Sequence, residues 1–174
     1  MNDSFSKYRT QSGVGLIEVL IAVVVASLGF LAAGRMQAEG VRNTQTAQVS
    51  SQAGYLIKDV ADRMRSNLDG VAAGHYDAID TETASMDVPD CVSEGASGTT
   101  CNPAEIAQND IAEWSSYIKP GPNDPTDPAL PSGDTTQARG TVTKQGDVYR
   151  VSVYWTEFSR GQETLEVLEM DIKP

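Results

Sequence analysis

Apolar positions follow different patterns in different parts of the chain. The first is a continuous run over residues 14–34, in which Glu18 is the one charged side chain. As a helix rising about 1.5 Å per residue, this run would cover the ~30 Å hydrocarbon core of a bilayer. It is also longer than the apolar core of an ordinary secretory signal peptide. The pattern therefore predicts a transmembrane helix that carries one acid near its start.

Beyond Arg35 the pattern changes to the three- and four-residue spacing of an amphipathic helix. No proline interrupts residues 36–67. One helix is therefore predicted from about Val14 to Asn67, with its first half in lipid and its second half packed on a head. The predicted packing face consists of Val49, Ala53, Leu56, Ile57, Val60, Ala61 and Met64, and the opposite side carries Lys58, Asp59, Asp62, Arg63 and Arg65.

Residues 68–102 are rich in Gly, Ser, Thr and Asp and predict a long irregular excursion. A short helix should follow over residues 102–118, because Asn102 can cap it, Pro103 suits its first turn and Glu105 completes a capping box. Its apolar stripe is predicted to comprise Ile106, Ile111, Trp114 and Ile118. Trp114 is interpreted as a core anchor rather than a recognition residue. A loop rich in proline, glycine and aspartate comes next.

The C-terminal part predicts an antiparallel sheet. Residues 140–144, 148–157 and 164–172 are enriched in β-branched and aromatic side chains and are separated by short polar turns. Tyr149, Val151, Val153 and Trp155 alternate on one face. In the last strand, the apolar phase changes after Val167, which predicts a β-bulge there. A sheet packed on the amphipathic half of the long helix would form a two-layer α+β domain.

Charge and cysteine content limit the classes of function that the chain can have. Residues 68–174 contain 19 acidic and six basic side chains, and an acidic head argues against nucleic-acid binding, which requires a basic face. Cys91 and Cys101 are predicted to form a disulfide, with two free thiols as the alternative. A single histidine and the absence of a ligand cluster give poor support for a metal, a cofactor or a catalytic site. The chain is therefore not expected to be an enzyme.

The N-terminal stretch SG|VGLIEVLIA resembles the leader of type IV prepilins and pseudopilins: a short polar, basic segment ends at Gly13, and the apolar run has an acid at its fifth residue. This resemblance implies cleavage between Gly13 and Val14 by a prepilin peptidase, followed by N-methylation of Val14. It also implies that Glu18 approaches the N-terminus of a neighbouring subunit in the filament. An acid that only snorkels towards the headgroups is the alternative.

A further resemblance narrows the family. The segments ADRMRSN and C…TTCNPAEIAQNDIAEWSSYI, followed by the strand YRVSVYW, are similar to minor pilins of the PilV type. The resemblance implies a low-abundance subunit of a type IV pilus, or fimbrium, that acts in assembly, priming or a tip complex and supports twitching motility and adhesion. Its implied partners are the prepilin peptidase, other minor pilins, the major pilin and the inner-membrane assembly platform.

The implied domain organisation is a leader (1–13), a membrane and filament-core half-helix (14–38), an amphipathic half-helix (39–67) and a globular head (68–174). Lys7 and Arg9 should keep the N-terminus in the cytoplasm, with the head in the periplasm. Before assembly the subunit would be held in inner-membrane lipid, and afterwards it would lie in a surface pilus. The alternatives are a minor pseudopilin of a type II secretion system and, more distantly, a single-span periplasmic ligand-binding protein.

Overall fold

The computed structural model describes residues 15–92, 100–119, 130–133, 137–159 and 161–174. The chain divides into two compact units, Met1–Thr44 and Gln45–Pro174, and the second is called the head unit below. The helices and strands in chain order are α1 (Leu16–Ser66), α2 (Leu68–Ala72), β1 (Ala78–Asp80), α3 (Pro103–Ile118), β2 (Arg139–Gln145), β3 (Val148–Ser159) and β4 (Gln162–Ile172). Together they form an α+β, pilin-like fold.

Helix α1 agrees with the predicted long helix. It extends over 51 residues without a break, whereas Val14, the predicted start, lies outside the described residues. Gly29, Gly34 and Gly40 lie within this helix, and a Cβ atom at any of them would have no neighbour within 4 Å. Although glycine lowers helix propensity by up to about 1 kcal/mol relative to alanine, these three positions leave the described helix continuous.

The sheet is antiparallel, with strand order β1-β2-β3-β4. The two hairpin turns contain Gly146 and Gly161, whose φ angles of 65° and 80° lie in the left-handed region that glycine occupies at low cost. The residues predicted to alternate on one face of β3 are all buried: Tyr149, Val151, Val153 and Trp155. This inner face of the sheet packs against the helices.

The predicted β-bulge near Val167 is wrong. Strands β3 and β4 pair continuously from Tyr149↔Ile172 to Ser159↔Gln162. The spacing of apolar residues changes along β4 because this strand has apolar side chains on both of its faces. Leu168 packs against the core on the inner face, while Leu165 and Val167 lie on the outer face and are exposed.

The interpretation of residues 68–102 as wholly irregular is also wrong. Ser66 ends α1, and α2 follows after Asn67, whose side-chain oxygen accepts a hydrogen bond of 3.2 Å from the backbone N–H of Gly70. Strand β1 then adds to the sheet through Ala78↔Thr143 and its two neighbouring pairs. An element of three residues is too short to produce a periodic pattern, so only its pairing with β2 reveals it.

The core of the head unit lies between the second half of α1, α3 and the inner face of the sheet. The predicted packing face of α1 is confirmed: Ala53, Leu56, Ile57, Val60, Ala61 and Met64 are buried, and Val49 packs at the margin. On α3, Trp114 and Ile118 are buried, whereas Ile106 and Ile111 are half-buried. The predicted stripe of α3 is therefore correct at its C-terminal end. The other buried residues of this helix are Ala107, Asp110, Ala112 and Ser115.

Helix α3 approaches strand β2 closely at Gly140. A Cβ atom there would lie 2.5 Å from both Trp114 Cη2 and Ile118 Cδ1, which is well inside van der Waals contact. By contrast, a Cβ atom at Gly54 in α1 would lie 3.8 Å from Leu168 Cδ2, which is an ordinary contact distance.

Gly140→Ala should therefore destabilise the head unit by about 1–3 kcal/mol, because the methyl group forces a packed tryptophan to move. The matched variant Gly54→Ala should be neutral or stabilising by up to about 1 kcal/mol, because alanine favours the helix. Urea unfolding followed by tryptophan fluorescence would measure both. Equal stability of the two variants would contradict the close packing of α3 on β2.

Candidate functional site

Glu18 lies in the first turn of α1. Its backbone N–H donates to the carbonyl oxygen of Gly15 at 3.0 Å, and the N–H of Val19 donates to the same oxygen at 3.3 Å. The N–H groups of a first helical turn have a partial positive charge, which favours a carboxylate nearby. The helix therefore places its acid where its own dipole supports a negative charge.

The remainder of α1 before Arg35 is apolar on every side. Its large side chains from Leu16 to Leu31 are exposed around the whole circumference. Among the described residues, α1 is the one helix that is long and apolar enough to cross a bilayer. A helix that is hydrophobic all round must be covered by lipid or by other apolar chains.

The predicted cleavage site between Gly13 and Val14, with the N-methylation site at Val14, lies outside the described residues. The predicted pairing of Glu18 with a neighbouring N-terminus stays a prediction.

The predicted disulfide between Cys91 and Cys101 is present, with a Cα–Cα distance of 5.3 Å. Cys101 directly precedes Asn102, the residue that caps α3. The predicted capping box is also present, because Asn102 Oδ1 accepts from the N–H groups of Ala104 and Glu105, and the Glu105 carboxylate accepts from the N–H of Asn102. The disulfide therefore links Cys91 covalently to the residue that precedes the N-cap of α3.

Trp114 is fully buried, in agreement with its interpretation as a core anchor. Its indole Nε1–H donates a hydrogen bond of 2.9 Å to the backbone carbonyl of Leu56 in α1. The ring also contacts β2 at Gly140. One side chain thus connects α1, α3 and the sheet.

A buried polar network joins the end of α1 to α3. The Tyr76 hydroxyl donates a hydrogen bond of 2.5 Å to Asp110 Oδ2 and accepts one of 3.0 Å from Asn67 Nδ2. Asn67 also donates to the backbone carbonyl of Pro103 at 2.8 Å. Burial raises the pKa of the Asp110 carboxyl above its ordinary value, and the hydrogen bond from Tyr76 opposes that rise.

Arg63 of α1 forms ion pairs at the same interface. Its guanidinium lies 2.9 Å from Asp59, 2.8 Å from Glu113 and 3.5 Å from Asp110. Burial alone would lower the pKa of Arg63, but its hydrogen bonds to Glu113 and Asp59 outweigh that effect and raise it. Arg63, predicted on the side of α1 away from the core, instead faces α3.

Sequence reasoning did not find this network. A usable signal was Asp110, a charged residue at helical spacing from Ala107 and Trp114 on the buried face of α3. Carboxylates at such positions are rarely buried without partners. The identity of those partners depends on Tyr76 and Arg63, which reach Asp110 from distant parts of the chain.

Cys91, Cys101 and Glu105 are close enough to one another to suggest a three-ligand metal cluster among the described residues. Both sulfur atoms are engaged in the disulfide, and a disulfide cannot supply the thiolate that metal binding by cysteine requires. This group therefore acts as a structural link at the start of α3.

Comparison with known families agrees with the architecture. Residues 8–34 match the prokaryotic N-terminal methylation motif, and residues 35–112 match the family of Tt1218-like type IV pilins. Together the two adjoining matches support a protein of the type IV pilin class, which includes pilins and pseudopilins. Comparisons with curated proteins and with solved structures found no match.

Tyr76→Phe should destabilise the head unit by about 2 kcal/mol at pH 7, because Asp110 loses a buried hydrogen bond. Without that bond the folded-state pKa of Asp110 should rise further. A raised carboxyl pKa contributes stability at low pH that is lost as the pH increases through the folded value. The deficit of the variant should therefore be smaller below the ordinary aspartate pKa and should grow as the pH rises above it.

Urea unfolding of the full chain in detergent at a series of pH values would test this prediction. Tyr117→Phe is the matched control, because the Tyr117 hydroxyl also donates to a carboxylate, that of Glu113, at an exposed position. Its effect should stay within about 0.5 kcal/mol. A deficit of Tyr76→Phe that does not change with pH would show that Asp110 is not coupled to Tyr76.

Proposed function

We propose that this protein is a minor pilin of the PilV type, a low-abundance subunit of a type IV pilus. In this role it acts with other minor pilins in priming assembly or in a tip complex, and so supports twitching motility and adhesion. The observation that carries the proposal is the position of Glu18, an acid in the first turn of α1, in a part of the helix that is otherwise apolar and fully exposed up to Gly34. The methylation motif extends over this same region.

The proposed life cycle begins in the inner membrane. The first half of α1 spans the bilayer, with Lys7 and Arg9 in the cytoplasm and the head in the periplasm. The N-terminal methylation motif implies processing by a prepilin peptidase, which would cleave between Gly13 and Val14 before Val14 is N-methylated. The assembly platform and the major pilin would then incorporate the subunit into the filament.

In this mechanism Glu18 provides selectivity for assembly. An ionised carboxylate at membrane depth costs roughly 2.5–3.5 kcal/mol on insertion scales. Pairing with the cationic N-terminus of a neighbouring subunit offsets that cost, whereas an isolated subunit in lipid has no such partner. The filament is therefore favoured over the free subunit, and one longitudinal stagger is favoured over the others.

The PilV-type assignment is supported by the resemblance of the segment from Cys91 to Ile118. In the head unit this segment contains the disulfide, the capped helix α3 and the buried Trp114. These features give the head a stable shape. We also propose that the protein has no enzymatic activity of its own.

Glu18→Ala should leave processing largely intact but should reduce incorporation into filaments at least tenfold, because the charge pairing is lost. Glu39→Ala is the matched control: Glu39 is an exposed acid on the same helix but lies outside the apolar run. Quantitative mass spectrometry of sheared filaments and of membranes would measure both. Wild-type amounts of the Glu18→Ala subunit in filaments would refute this role.

Gly13→Leu should block processing, because a bulky side chain would stand at the proposed scissile bond, whereas Gly13→Ala should be cleaved fully or more slowly. The mass of the N-terminal peptide would report cleavage and methylation of Val14 together. Equal processing of the leucine variant would show that the bond lies elsewhere.

A deletion strain separates the proposed pilus role from a role in type II secretion. We expect loss of twitching motility and normal export of secreted proteins. Loss of export with intact motility would instead assign the protein to the pseudopilins.

A further inference from the structure

The sheet of the head unit has a long free edge. Strand β4 is its last strand, and among the described residues no strand pairs with its outer edge. It is 11 residues long and pairs with β3 over its full length, without a bulge or a proline. Proteins usually shorten, bend, charge or cover such edges, because their unpaired backbone groups readily accept another strand. The outer edge of β4 lacks the first two of these protections.

Apolar side chains lie next to this edge on the outer face of the sheet. The register places Phe158 opposite Glu163 and places Val167 opposite Tyr154. Phe158, Leu165 and Val167 are 57%, 51% and 45% exposed. A strand added beside β4 would cover part of this apolar surface and would pair with the backbone at the same time.

The charge of β4 decides which kind of strand fits. Its four charged side chains are all acidic: Glu163, Glu166, Glu169 and Asp171. Asp171 already pairs with Arg150 of β3 at 2.8 Å, and Glu169 also accepts a hydrogen bond of 3.0 Å from the Ser152 hydroxyl. Like charges on adjacent strands destabilise pairing and opposite charges stabilise it. A second copy of β4 would place carboxylates beside carboxylates, whereas lysine or arginine side chains would complement them.

We propose that the outer edge of β4 binds an extended segment of a partner protein that combines basic and apolar residues. On the outer face, a basic side chain would lie beside Glu169, and apolar side chains would lie beside Leu165 and Val167. The inference rests on the proposed function only for the source of this segment, which would be another subunit of the same filament. The edge and its charges belong entirely to the head unit.

Synthetic peptides test this site directly. The peptide KTVTVTK matches the alternation of charged and apolar positions on the outer face of β4, and its symmetric sequence fits either strand direction. ETVTVTE reverses the charges, and KTVPPTK removes one backbone donor on each edge of the peptide, so it interrupts pairing in either strand direction. With the full chain in detergent at low salt, KTVTVTK should bind at least tenfold more tightly than either control. Amide hydrogen exchange should slow in β4 on binding.

Variants of the chain identify the residues involved. Glu169→Lys should weaken binding of KTVTVTK about fivefold or more, because an attraction becomes a repulsion. Val167→Ser should weaken it several-fold by removing an exposed apolar contact, and this outer-face change should leave the core intact. Asp62→Lys is the matched control on α1, where the Asp62 side chain is 74% exposed, and it should not alter binding.

Equal losses from Glu169→Lys and Asp62→Lys would overturn the proposal, because binding would then follow net charge alone. Slowed exchange outside β4, equal affinity for the three peptides, or self-association of the chain through β4 would also overturn it. The measurement uses the purified chain and needs no filament. A failure here therefore leaves the minor pilin proposal standing, and failure of filament incorporation would not remove an observed binding to β4.

Discussion

The packing of Trp114 is the constraint on which the rest of the head unit depends. Its ring needs space against β2, which Gly140 provides, and its indole N–H needs an acceptor, which the backbone of α1 provides through Leu56. A buried tryptophan contributes a large apolar area but tolerates few positions for its polar group. These two demands together determine where α3 lies between α1 and the sheet.

Around this contact, covalent and polar links hold α3 at its start and at its middle. The disulfide to Cys101 adjoins the N-cap, and the buried network around Asp110 connects the middle of the helix to Tyr76 and Arg63. Buried polar groups destabilise a fold when unpaired and specify one arrangement when every member has a partner. The head therefore combines an apolar core with a polar interface that allows one register of α3 on α1.

Helix α1 combines two kinds of surface in one element. Before Arg35 it is apolar on every side, and in the head unit it is apolar on one side only. The first kind of surface requires lipid or other apolar helices, and the second requires a sheet. In the proposed function, Glu18 adds a negative charge to the apolar region of α1 and selects the neighbouring subunit there. In the proposed edge binding, the acidic strand β4 would select a basic segment at the edge of the head.

The sequence by itself determined the elements that arise from local or periodic signals. These are the long helix, the capped helix α3, the three long strands and the disulfide, because capping residues, apolar spacing and strand composition act over a few neighbouring residues. Only the tertiary structure decided the rest. Strand β1 exists because β2 offers an edge, Leu165 and Val167 face outward because β3 sets their register, and Arg63 turns to α3 because Asp110 and Glu113 lie there. Such contacts join residues that are far apart in the chain, and no local sequence pattern indicates which residues will be in contact.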